Sequence, residues 1–165
     1  MNSVSSLVDV LVTHKVDAAM VAQVGVDLVR AWSGGMSSEE MYRDLIAGAR
    51  DAADVDQMIF QLKGDTVYAE NAALIVLSAA WNYPELEAQI RELGAAAVAN
   101  PRAVSNAELG GSILYGMYLM ARAGAQIHEV AYADAQGQIH LRKFDGGVEA
   151  GDLFDAVRDQ YGVTL

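Results

Sequence analysis

The sequence predicts a mainly α (α+β) fold: a single-domain bundle of about seven to eight helices with a C-terminal β-hairpin and a closing helix. Three observations predict it. Between residues 7 and 124, apolar side chains recur at spacings of three and four, the repeat that lines one face of a helix. Helix start and stop signals punctuate the same stretch. From Ile127 the pattern changes to two short alternating runs around a turn, which reads as a hairpin.

The elements follow in order. Leu7, Val8, Val10, Leu11 and Val12 form a first short helix behind Ser3, Ser5 and Ser6. A second begins after Asp17, carries Met20, Val21, Val24, Leu28, Val29 and Trp32 on one face, and ends at Gly34–Gly35. Ser37-x-x-Glu40 is a capping box, in which the serine oxygen takes an orphan amide and the glutamate reaches back. The helix it opens is expected to bury Met41, Tyr42, Leu45, Ile46 and Ala49. A short helix around Val55–Lys63 turns Met58, Ile59 and Leu62 inward and stops at Gly64. Asp65 caps the next, whose Val67, Ala73, Leu74, Val76, Leu77 and Trp81 leave almost no polar face, so it belongs in the middle of the fold. Pro84 suits the first turn of a helix through Leu86, Ile90 and Leu93 to about Ala99. Ser105-x-x-Glu108 opens a glycine-spotted helix ending near Gly124.

Ile127–Ala133 and Gln138–Phe144 are the two strands, joined through Asp134-Ala135-Gln136-Gly137. That turn sets a register: Glu129 opposite Lys143, Ala131 opposite Leu141 and Ala133 opposite Ile139, with Val130–Arg142, Tyr132–His140 and His128–Phe144 on the other face. Asp152 caps the closing helix, with Leu153, Phe154, Val157 and Tyr161 inward. No linker divides the chain and no fixed period recurs, so residues 1–165 read as one domain: 1–125 helical, 126–165 hairpin plus terminal helix.

Composition narrows the functional classes. Apolar residues make up 53% of the 165, enough for an ordinary core that buries about two-thirds of the unfolded surface. The absence of cysteine excludes disulfides, thiolate zinc sites and a cysteine nucleophile. The first cation is Lys15, which argues against a secretory signal. The longest uncharged run, Leu109–Ala121, is glycine-interrupted and shorter than the roughly 20 apolar residues a bilayer demands. The sequence therefore predicts a cytoplasmic protein without a membrane association.

The net charge is −11, and residues 37–70 concentrate it, with eight acids against three bases. Asp51, Asp54 and Asp56 could grip a divalent cation, but the calcium-loop pattern demands a glycine where Asp56 stands and a glutamate where Leu62 stands. Acids collecting at successive helix N-termini explain them better. Around Gly110-Gly111-Ser112, Leu114 breaks a nucleophile elbow, and no lysine between 63 and 143 serves a phosphate loop. Small residues four apart, Gly111 with Tyr115 between turns and Ser112 with Gly116, instead let two helices approach closely. Tyr115, Met117, Tyr118 and Met120 form a core stripe on the same helix.

His128 and His140 fall on one face of the hairpin without a forced carboxylate, so they read as exposed hairpin histidines, with a pH-sensitive patch as the alternative, and not as a catalytic set. His14 sits at a helix end, where its cationic form suits the dipole. A chain at −11 repels phosphate backbones, which excludes nucleic-acid binding as a leading reading. No catalytic residue, cofactor or metal is assigned.

What remains is a protein-binding role. The leading expectation is an acidic neutraliser of a basic partner, of the immunity-protein, antitoxin or inhibitor type, because acidic surfaces capture basic targets quickly. Glu39, Glu40, Asp51, Asp54, Asp56, His128 and His140 are the candidate partner-binding residues, and the hairpin is a candidate for strand addition. The alternatives are a secretion-type chaperone or assembly adaptor acting as a homodimer, and a small enzyme whose groups converge only in the fold.

Overall fold

Asp17 starts the first long helix by accepting the Met20 amide on its side chain at 2.9 Å, in an extended backbone conformation. The computed structural model describes residues 7–13, 15–48, 52–64, 66–102, 104–124, 126–133, 136 and 138–149. Among them are seven helices: α1 (Leu7–Thr13), α2 (Ala18–Trp32), α3 (Ser38–Gly48), α4 (Ala52–Gly64), α5 (Thr66–Ala80), α6 (Pro84–Ala99) and α7 (Asn106–Arg122). Two antiparallel strands follow, β1 (Gln126–Ala133) and β2 (Ile139–Glu149). The fold is mainly α with a small sheet near the C-terminus, as the periodicity predicts. His14, Ala49, Asp65, most of the hairpin turn and the closing helix from Asp152 lie outside the described residues.

Local chemistry sets several helix ends. Ser37 and Glu40 close their capping box in both directions, Glu40 N donating to Ser37 Oγ at 3.2 Å and Ser37 N to Glu40 Oε1 at 3.4 Å. Ser105 Oγ takes the Glu108 amide at 3.1 Å. Gly34 ends α2 at φ 78°, where Gly35 N reaches Arg30 O at 2.8 Å and Gly34 N reaches Ala31 O at 3.2 Å, a Schellman closure.

Helix α5 is the axis of the molecule. Every residue from Asn71 to Ala80 is buried, and the helix packs against α2, α4, α6, α7 and β1. Helices α2, α5 and α7 pack mutually, with α6 on α2 and both α3 and α4 on α7. One contiguous apolar cluster runs through all seven helices and β1. Glycine makes close helix contacts possible: a Cβ at Gly116 would lie 2.7 Å from Val29 Cγ2, and one at Gly25 would lie 3.0 Å from Ile113 Cδ1. Gly116 on α7 thus serves packing as the spacing predicts, whereas Gly111 has no neighbour within 4 Å of where a Cβ would stand.

The two polar residues within that buried stretch of α5, Asn71 and Ser78, are two turns apart and face β1. Asn71 donates to Ala133 O at 3.2 Å and accepts from Ala133 N at 2.8 Å. Ser78 donates to Leu74 O at 2.7 Å and accepts from Ala131 N at 3.0 Å, while Asn82 donates to Gln126 O at 2.8 Å. Apart from the Leu74 carbonyl on α5, these partners are backbone groups of β1. Asn71, Ser78 and Asn82 thus cover these positions of β1, which makes β2 the better edge for strand addition.

The hairpin register holds from Glu129–Lys143 to Ala133–Ile139 and then departs from the expectation. His128 does not face Phe144. Ile127 pairs with Val148 and Gln126 with Glu149, so β2 continues past Phe144 across a bulge. Gly146 and Gly147 make it possible, at φ 80° and 81°, and Gly147 sits so close to the His128 ring that a Cβ would lie 2.8 Å from its Cε1.

Candidate partner-binding surface

Helix α3 turns Met41 and Leu45 into the core, which leaves Glu39, Glu40, Tyr42 and Arg43 facing outward. Tyr42 was expected inside and is 38% exposed instead. Its position is 100° around the helix from Met41, and a carboxylate on the next helix captures its hydroxyl: Tyr42 OH donates to Asp56 Oδ1 at 2.6 Å. That bond, helped by some desolvation and by the Asp56 charge, raises the Tyr42 phenol above its ordinary range.

Helix α4 buries Val55 and Leu62 and half-buries Ile59. Its outward side is Ala53, Asp56, Gln57, Phe60, Lys63 and Gly64. Phe60 is 76% exposed, the most exposed large apolar side chain among the described residues. Sequence reasoning passed over it, although the wheel held the signal: with Val55, Ile59 and Leu62 inward, position 60 falls on the far side. Tyr42, Asp56 and Phe60 form one continuous aromatic–acidic strip across α3 and α4, with Glu39 a turn before Tyr42.

The acids of this region divide by role. Glu39 pairs loosely with Arg43 at 3.8 Å, both almost fully in solvent, an arrangement of little energetic weight. Glu40 serves the capping box, and its side chain stays exposed. Asp44, on the inner flank of α3, accepts from Tyr115 OH on α7 at 2.6 Å and belongs to the helix packing. Asp54 lies on α4, its side chain outside the description, and Asp51 is outside the described residues.

The two histidines occupy a different part of the fold. Helices α3 and α4 pack on α7, whereas β1 packs on α5 and β2 approaches α1. His140 faces Tyr132 across the strands, with ring centroids 5.4 Å apart and planes tilted by 30°. His128 is exposed at the bulge, against Gly147.

A second charged group ties elements together rather than facing a partner. Arg30 Nη2 meets Glu108 Oε1 at 2.8 Å, Arg102 reaches the same oxygen at 3.5 Å, and Arg102 also pairs with Asp27. Buried Gln23 fastens the same segment, accepting from Arg102 N at 3.0 Å and donating to Asn100 O at 3.3 Å. Among the described residues, no three histidine or carboxylate groups are placed to hold a metal ion, and no helix is long and apolar enough to cross a membrane. In comparisons with known proteins, no family model, curated protein or solved structure matches the chain.

Proposed function

We propose that this is an acidic protein-binding protein that neutralises a basic partner through the outer face of α3 and α4. The observation that carries the reading is Phe60, held 76% in solvent beside Asp56, which Tyr42 in turn holds in place. Aromatic side chains anchor interfaces at small conformational cost, and surrounding acids steer a cationic partner to them. Glu39 and Glu40 supply that outer charge, and residues 37–70 as a whole carry eight acids against three bases. Cytoplasmic action, in the manner of an immunity protein or antitoxin, is part of the same proposal.

The adaptor reading needs a broad apolar face for homodimerisation. Among the described residues the large exposed apolar side chains are Val12, Tyr42, Phe60, Val98 and Tyr132, spread over α1, α3, α4, α6 and β1. Apart from Tyr42 and Phe60, which flank Asp56, these are scattered single residues, and together they do not make such a face. His128 and His140 enter the proposal only as a secondary contact on the hairpin, where any strand addition would use β2.

The test is kinetic. The partner co-purifying from the native host is identified, purified and recombined with wild-type protein and with a Glu39→Lys, Glu40→Lys, Asp56→Lys variant. At low salt the variant should associate at least about tenfold more slowly, with the difference shrinking as ionic strength rises. Equal association rates at low salt would overturn the proposal, as would a partner without a basic surface.

A further inference from the structure

The outer face of α4 says more about the partner than its charge. Asp56 and Phe60 are one helical turn apart, which places their Cβ atoms about 5–6 Å from each other on one surface. One oxygen of the Asp56 carboxylate accepts the Tyr42 hydroxyl, so the group is oriented before anything binds. A carboxylate has about four acceptor positions, and the phenol uses one. Among the described residues no cation pairs with Asp56, and no ring or cation packs on Phe60. Elsewhere the molecule does use such contacts internally: Arg91 lies 5.1 Å from the centre of the Trp81 ring while bonding Glu87 at 3.0 Å. That acid–arginine–aromatic contact is complete within the chain; on α4 the acid and the ring lie open to solvent, and among the described residues no arginine meets them.

We propose that Asp56 and Phe60 form a docking point for an arginine side chain of the basic partner, the guanidinium forking onto the carboxylate while its plane covers the ring. The inference rests on the partner-binding reading above and gives that partner its chemistry. Arginine fits better than lysine because a planar guanidinium can donate in its plane and stack with its face at once. A lysine ammonium is a compact charge that satisfies the carboxylate without covering the ring. Lys63, one turn beyond Phe60, bounds the site on its C-terminal side, so the arginine should approach from the Asp56 end.

The test uses the whole chain and acetylated Gly-Arg-Gly amide, with the Gly-Lys-Gly and Gly-Gly-Gly amides as comparisons, followed by amide and aromatic NMR shifts. The arginine peptide should cause saturable shifts centred on residues 53–60 and Tyr42, and should bind about two- to fivefold more tightly than the lysine peptide. Phe60→Ala should lower arginine affinity by a similar factor and abolish the preference, and Asp56→Asn should remove most binding. Both substitutions are on the surface, and an unchanged amide spectrum elsewhere confirms that the variants fold. Equal affinity for the two cationic peptides, shifts spread over every acid, or no saturable shift at α4 each overturn the docking point. If these fail while charge reversal still slows association with the purified partner, the arginine site alone falls and the acidic surface stands.

Discussion

Lys15 holds φ at 58°, the one non-glycine residue in the left-handed region among those described. It does so because α1 ends in a Schellman closure, with Val16 N on Leu11 O at 2.8 Å and Lys15 N on Val12 O at 3.1 Å. Leu11 and Val16, the apolar pair that accompanies this motif, are both buried. The backbone is thus held by hydrogen bonds and packing against the preference of its own side chain. Replacing Lys15 with glycine should raise unfolding free energy by about 0.5–1 kcal/mol; chemical denaturation giving no gain would contradict the assignment. Tyr115 offers a second check at this scale. It is 4% exposed, and burial first, then its bond to Asp44, push its phenol up to about 12. Because the folded value is raised, its contribution is complete below the unfolded value of 10.0 and is lost as pH climbs toward about 12. An alkaline absorbance titration should show a late phenol that Tyr115→Phe removes, and superimposed upper limbs would refute it.

At the scale of the element, α7 separates two kinds of helix glycine. Gly116 faces Val29 and Val76, and a methyl there would meet Val29 Cγ2 at 2.7 Å, on a side chain whose rotamer a helix restricts. Gly111 has no neighbour within 4 Å of where its Cβ would be. Alanine at Gly111 should therefore stabilise by about 0.5–1 kcal/mol through helix propensity. Alanine at Gly116 should lose about 1–2 kcal/mol, overpacking outweighing the same propensity gain. Thermal melts of the two variants should move in opposite directions; a shift of the same sign would refute the packing. No periodicity in the sequence distinguishes these glycines, because the difference lies in which neighbouring helix stands opposite. What the sequence does disclose is local. Asp17, the Ser37–Glu40 box and Ser105 act within one turn, and the hairpin register follows from its own turn up to Glu129. The bulge beyond depends on Gly146 and Gly147 meeting His128, a contact across strands. The outward course of Tyr42 is non-local in the same way, since it depends on Asp56 of another helix, whereas the outward position of Phe60 follows from the wheel of α4 alone.

Over the whole molecule, the charge of −11 makes the folded state sensitive to salt and acid together. Compaction brings like charges closer, and screening relieves that repulsion, so melting temperature should rise between low and moderate ionic strength. Glu70 on α5 concentrates the effect: partial burial first, and then the charge of Asp17 at the start of α2, raise its pKa above the ordinary 4.5. A carboxyl group raised in the folded state binds more protons there than in the unfolded chain. Its share of stability is therefore present at acid pH and falls as pH climbs from about 4.5 through the raised folded value. Glu70→Gln removes the ionisation, keeps the shape, and should raise the melting temperature near neutrality by about 1–2 °C, solvent screening at this partly open site keeping the gain small. Below pH 4.5 the variant and the parent should converge. A constant offset at every pH would instead mean that the substitution acts through packing, and that α5 meets the start of α2 without the carboxylate repulsion argued here.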